Sequence, residues 1–123
     1  SIVEREARSA AHMAMVASVF RNRLAAGMRL EADSTITYVE QHIKPNALVS
    51  DPGAYAALYN TYKCKALPAG PICNPGRKAI QATLNPADTD YLFFFFGNDN
   101  TNHYSKTYEE HQALMAQYGV QSG

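Results

Sequence analysis

The sequence has no tryptophan and only 2 cysteines, and its 11 basic and 11 acidic residues leave a formal net charge of zero. A balanced charge gives no electrostatic footprint for nucleic acid or for an anionic membrane. Two cysteines cannot build a disulfide framework; Cys64 and Cys73 could pair, but free thiols in structural positions are the better reading. The longest apolar run, Tyr91 to Phe96, is far too short to span a bilayer, and no signal peptide is visible. His12, His42, His103 and His111 show no H-x-x-x-H spacing, and no C-x-x-C is present, so no metal centre is indicated. His103 and His111 could meet through a hairpin and a helix, but His111 reads better as a residue ordering the last helix. No Gly-rich phosphate loop follows a strand, and there is no G-x-S-x-G elbow. The expectation is a domain without cofactor.

What is present fits one globular domain. A chain of 123 residues with 46% hydrophobic content and 8 tyrosines can bury a real but modest core. Ser9 is placed to cap a helix over 10–26, with Met13, Val16, Val19 or Phe20 and Leu24 facing inward, Arg21 and Arg23 lying off that face, and Gly27 ending it. Asp33 can cap a short helix through Thr35, Ile36 and Val39. From His42 to Ala57, Pro, Asn, Asp and Gly mark loops, and 58–64 has strand composition. The segment 67–76, stiffened by prolines, leads to a helix capped by Asn74, with Ile80 and Leu84 inward. Tyr91 to Phe96 reads as a strand buried on both faces, 97–100 as its turn, and 101–105 as its hairpin partner. Thr107 with Glu110 has the capping-box spacing of a last helix, packed by Leu114, Met115 and Tyr118. The expected class is α+β, with helices packed on a small antiparallel sheet of about three strands.

The first ten residues carry the chemistry. Wound as a helix, they set Ile2, Val3, Ala7 and Ala10 on one side and Glu4, Arg5 and Arg8 on the other. Glu4 is spaced to meet Arg8 as a solvated i, i+4 pair. Glu6 falls between Ile2 and Val3 on the wheel, near the middle of the apolar side. A carboxyl group set against apolar side chains is disfavoured in its charged form, which is one way to keep a general acid protonated. Snorkelling from a helix edge is the plainer alternative. The Asn, Thr and Tyr side chains around Asn60 suit a carbohydrate groove, and equally an ordinary polar sheet edge.

Several stretches together carry a resemblance. Residues 1–7 (SIVEREA), 16–24 (VASVFRNRL), 27–35 (GMRLEADST), 59–62 (YNTY), 67–76 (LPAGPICNPG), 85–91 (NPADTDY) and 103–111 (HYSKTYEEH) occur in order over almost the whole chain. In these the chain resembles the YceG-like (MltG) family of endolytic murein transglycosylases. The resemblance implies a lytic-transglycosylase catalytic domain over 1–123, a fragment lacking an upstream LysM-like module and membrane anchor. It implies cleavage of the β-1,4 bond from N-acetylmuramic acid to N-acetylglucosamine within glycan strands, leaving 1,6-anhydro ends. The partner would be peptidoglycan, and the location the extracytoplasmic face of the bacterial membrane, with cell-wall synthesis machinery nearby. The family's catalytic glutamate carries over to Glu6; Asp33, Thr35, Asn60, Tyr62 and Asn74 are candidates for sugar contacts, and Glu31 for positioning. Leu58, Ala66 and Ala69 depart from the family pattern, at positions that concern loop stiffness. An aminodeoxychorismate lyase label attached to some relatives finds no pyridoxal phosphate site here. The reading from another functional class is a non-catalytic peptidoglycan-binding or scaffolding module, against which an intact Glu6 argues.

Overall fold

The fold is taken from a computed structural model describing residues 1–119. Helix α1 (Ile2–Glu6) buries Ile2 and Val3, and it stops because Ala7 turns extended at φ −137° and ψ 153°. Arg8 therefore lies outside the helix, and the expected Glu4–Arg8 pair does not form. Glu4 Oε1 instead accepts from the Gly76 N–H at 2.7 Å. Helix α2 (Ala10–Ala25) is capped by the Ser9 hydroxyl, which accepts from His12 N at 3.2 Å. It ends at Gly27, whose φ of +71° suits a residue without Cβ. Met13, Val16, Ala17 and Phe20 meet Ile2, Val3, Leu30, Ile72, Ala79 and Ala82 in one core.

At the end of α2 the expected faces are exchanged: Leu24 is 38% exposed and Arg23 only 8%. Arg23 can be buried because backbone carbonyls receive it. Its Nε donates to Leu92 O at 2.6 Å and its Nη1 to Arg29 O at 2.9 Å. The guanidinium also lies 5.0 Å from the Phe93 ring centre.

Helix α3 (Asp33–Tyr38) runs on into a π-helical segment, Val39–Ile43. Its cap position is Ala32, so Asp33 is the first helical residue rather than the cap. Helix α4 (Pro52–Tyr59) occupies a stretch expected to be loop and strand. The Asp51 carboxylate accepts from Ala54 N at 3.2 Å and Pro52 stands in the first turn, so the same residues that signal a loop start a helix. The expected strand at 58–64 is thus the end of α4 followed by a turn.

Helix α5 (Arg77–Leu84) begins after Gly76, not at Asn74. Ala79 and Ala82 face the core, whereas Ile80 and Leu84 are exposed. Small residues on the inner face let α5 approach α2 closely. Strands β1 (Phe93–Phe96) and β2 (Asn102–Ser105) pair antiparallel with Phe93 opposite Ser105 and Phe96 opposite Asn102, so the described residues hold two strands and not three. β1 is covered on both faces, as expected: Phe94 sets its ring edge-on to Phe20, Phe95 on the opposite face is buried against His111, and Phe96, at the end of the strand, is exposed. Helix α6 (Tyr108–Tyr118) is capped by Thr107, which accepts from Glu110 N at 3.2 Å, while the Glu110 carboxylate reaches Lys106 N at 3.0 Å. Leu114, Met115 and Tyr118 are half-buried. Cys64 and Cys73 are free thiols, as expected. The class is α+β.

Candidate active site

Helix α1 is short, so its last residue, Glu6, stands at the edge of the core rather than within it. Ile2 and Val3 anchor the helix below, and Glu6 is half-buried at its end. The apolar enclosure expected from the wheel does not form, because the helix ends before a second apolar turn can flank the carboxylate. What replaces it is polar. Glu6 Oε1 accepts from the Ser34 N–H at 3.1 Å, in the first turn of α3. Among the described residues Oε2 has no hydrogen-bond partner, and Glu6 lines a cavity of about 410 Å³ together with Arg5, Arg8, His12 and Asn102. A second polar cavity of about 590 Å³ is lined by Ser34, Tyr38, Gln41 and, again, Arg5. Arg5 thus borders both, and Glu6 and Ser34, one on each, are joined by the hydrogen bond. The Ser34 hydroxyl is buried without a partner in the described structure.

The support for this edge is a buried pair of threonines. Thr35 and Thr61 have no exposed surface. Thr61 Oγ1 accepts from Ala32 N at 2.9 Å and lies 3.0 Å from Thr35 Oγ1, which donates to Ala32 O at 2.8 Å. Glu31 N donates to Thr61 O at 3.1 Å, with Glu31 in the left-handed region at φ 51°. Arg23 Nη1 stands 3.7 Å from Glu31 Oε2. Burial lowers the Arg23 pKa and the Glu31 carboxylate opposes that shift. These contacts tie the segment before α3 to the turn after α4, and so set the height of Ser34 against Glu6.

On the same edge the Tyr62 hydroxyl donates to Asp33 Oδ1. Burial raises the Tyr62 pKa well above the ordinary phenol value, helped by the Asp33 hydrogen bond and charge and by the charges of Glu31 and Glu6. The phenol is therefore a donor held in a cluster of acids. Asn60 is spent on the turn that presents Tyr62, its Oδ1 accepting from Tyr62 N at 3.0 Å.

The structure thus gathers Glu6, Asp33 and Tyr62, with Glu31 beside them. Thr35, considered a sugar contact, is fully buried and holds the loop instead, since its hydroxyl is committed inside. Asn74 is exposed on the 67–76 segment, and its neighbours Ile72 and Cys73, not Asn74 itself, line the larger polar cavity. Ser34, Thr61 and Arg23 were not singled out in the sequence. An unbroken Ala-Asp-Ser-Thr run before a helix was the available signal for Ser34, but it reads as a cap. A third cavity, of about 480 Å³ and mostly apolar, lies away from Glu6 between α2 and residues 67–71. Among the described residues no group of three His, Cys, Asp or Glu is placed to hold a metal, and no helix is long and apolar enough to cross a membrane.

Against known proteins, the model of the YceG-like family matches residues 1–117. The endolytic murein transglycosylase of Bacillus subtilis strain 168 is 37% identical over 118 residues, which cover 96% of this chain and 32% of that protein. The endolytic murein transglycosylase of Streptococcus pneumoniae strain D39 is 28% identical over 123 residues, covering 96% of this chain and 22% of that protein. The crystal structure of a yceG-like protein from Listeria monocytogenes superposes with a TM-score of 0.74 at 42% identity, covering 93% of this chain and 36% of that one. The chain therefore spans about a third of the Bacillus relative.

Proposed function

The chain belongs to the YceG-like family, and from that premise we propose that it is the lytic domain of an endolytic peptidoglycan transglycosylase with Glu6 as its sole proton carrier. The observation that supports this is the state of the Glu6 carboxyl group: one oxygen is held by the Ser34 amide, and the residue lines an open cavity of about 410 Å³. A carboxyl group fixed in this way can donate and recover a proton at one point of a groove.

The chemistry follows from the substrate. A glycosidase that uses water as nucleophile needs two carboxyl groups, one to protonate the leaving oxygen and one to activate the water or attack carbon. In a muramyl residue the C6 hydroxyl can take the place of water. Protonated Glu6 donates to the glycosidic oxygen as the bond from C1 to that oxygen breaks. The C6 oxygen closes on C1, and its proton passes to the Glu6 carboxylate. One bond forms, one breaks, no water is consumed, and the carboxyl group ends as it began. Ser34 N–H holds the carboxylate between the two transfers. Tyr62, kept protonated by burial and by its acid neighbours, gives its O–H to Asp33 and so offers its oxygen as an acceptor for a sugar hydroxyl on that edge. Asp33 and Glu31 position it, and Asn60 and Asn74 are the further candidates for sugar contact. A peptidoglycan substrate places the action on the extracytoplasmic side of the membrane, beside the machinery that builds glycan strands.

The test is digestion of purified peptidoglycan with products resolved by mass. Internal fragments one water lighter than hydrolysis products are expected, and Glu6→Gln should lower turnover by roughly 10²–10⁴-fold while the protein stays folded. Products carrying a full water would assign the attack to solvent and overturn the single-carboxylate step. Binding without cleavage would favour the non-catalytic module.

A further inference from the structure

The two arginines beside Glu6 are unlike the others with a visible role. Arg23 is consumed by carbonyls, and Arg29 donates to Lys63 O. Arg5 and Arg8 are exposed and, among the described residues, have neither a carboxylate within 4.0 Å nor a hydrogen-bond acceptor. Both line the cavity that Glu6 faces, and Arg5 also borders the second polar cavity. Arg8 is not loose: its guanidinium carbon sits over the Phe96 ring, 5.7 Å from its centre, a cation–π contact that uses none of its N–H donors. Phe96 is exposed at the end of β1, so a large apolar ring is retained on the surface where it can carry that arginine. The chain as a whole is neutral, whereas this cavity sets two arginines against the one carboxylate of Glu6. Planar donors left unpaired and oriented fit one chemistry well, a carboxylate taken side-on.

We propose that Arg5 and Arg8 are specificity residues for a carboxylate carried on the glycan next to the bond that is cut. This rests on the peptidoglycan reading above. Each muramyl residue carries a lactyl group that is either a free carboxylate or the attachment point of a peptide stem with its own carboxylates. Either would enter the cavity between Arg5, Arg8 and His12 when the bond lies over Glu6. The Tyr104 hydroxyl, 2.8 Å from His12 Nδ1, fixes that ring at the cavity's far wall. The neutral sugar supplies no charged partner for these arginines, so a glycan without the anion would be held only by its hydroxyls and acetamides.

The experiment compares the wild-type chain with R5Q, R8Q, the double variant and R8K on three glycan preparations. One bears intact stems, one has had its stems removed by an amidase so that the lactyl carboxylate is free, and one has all carboxylates converted to neutral amides. For the wild type, KM is expected to rise about 10- to 100-fold on the amidated strands, with kcat changed much less. The double variant should show the raised KM already on charged strands and no further rise on amidated ones, and R8K should recover part of the loss. A lower KM on stem-free strands assigns the lactyl carboxylate, a lower KM on stem-bearing strands assigns the stem, and equal KM means that the arginines take either carboxylate. A wild type indifferent to amidation, or a double variant that still discriminates, overturns the proposal. Equilibrium binding of the same strands to the E6Q protein separates this from the parent reading. Absence of cleavage on every preparation sinks the enzyme assignment, while the binding ratio between charged and amidated strands, and its loss in the arginine variants, still decides the role of Arg5 and Arg8.

Discussion

At the scale of single residues, Glu6 was legible because a helical wheel singles it out, but the physical reason was different from the one the wheel suggests. The wheel places it among apolar neighbours; in the fold the helix ends there and a backbone amide of α3 receives it. Contacts of that kind join positions 28 apart in sequence and leave no periodic trace. Arg23 is the stronger case. Its spacing put it on the solvent side of α2, and its partners are the carbonyls of Leu92, Arg29 and Leu30, set by the path of loops. The prediction at this scale follows from those carbonyls. Arg23→Ala removes the donors and leaves buried acceptors unpaired, so a loss of about 3 kcal/mol or more is expected in urea unfolding. Arg23→Lys should recover little of it, because an ammonium cannot reach in two directions as a planar fork does. A lysine variant as stable as the wild type would mean that the site needs only a charge.

At the scale of elements, the segments with strong local signals were legible. Ser9 and Thr107 cap α2 and α6 as their sequence indicates, and the β1–β2 hairpin closes in its expected place. Two kinds of element were not. Helix α4 starts from Asp51, Pro52 and Gly53, residues whose composition reads as loop until the Asp51 side chain is seen on Ala54 N. Helix α5 turns its alanines inward and its larger apolar residues outward, because closeness to α2 outweighs the burial of Ile80 and Leu84. Its N-terminus is closed by Glu4 from another helix, a cap no local pattern contains. Glu4→Ala should therefore cost about 0.5–2 kcal/mol, the range for loss of an N-terminal cap, whereas Glu4→Gln keeps an acceptor for Gly76 N and should cost less. Thermal melts of the two variants check the order. The covered strand makes a second prediction. Phe94→Asp places a charge against Phe20 and should destabilise by several kcal/mol, roughly the cost of an unpaired buried charge after relaxation. Phe96→Ser, at the exposed end of the strand, should cost no more than about 1 kcal/mol. Equal losses from the two would mean that Phe96 is packed as closely as Phe94.

At the scale of the whole molecule, the question is what holds the hairpin and last helix to the helical half. No side chain of α6 is fully buried, so its attachment depends on partly buried rings. His111 is central among them. It stacks on Phe93 with ring centres 5.2 Å apart and meets Phe95 edge-on at 5.6 Å, while Phe93 also receives the Arg23 guanidinium from α2. The titratable groups around the imidazole are Arg23 and Tyr108, the latter with its ring centre 6.3 Å away. Burial lowers the His111 pKa below its ordinary 6.5, and the Arg23 charge lowers it further. Above about pH 6.5 the imidazole is neutral in both folded and unfolded chains, and its packing contributes in full. As pH falls below that value the unfolded chain takes up the proton first. Stability from this group is then lost until the pH has passed through the folded pKa, below which no further loss comes from it. The Asp99–His103 pair acts elsewhere on the scale: the His103 hydrogen bond lowers the Asp99 pKa from its ordinary 3.8, so its contribution is lost only in stronger acid. The expected result is a fall in urea-unfolding free energy as pH drops below about 6.5. His111→Phe keeps an aromatic ring against Phe93 and cannot protonate, so it should flatten that slope while remaining folded at neutral pH. An unchanged slope in this variant would place the acid sensitivity in another histidine and show that the joint between the two halves is not what the proton opens.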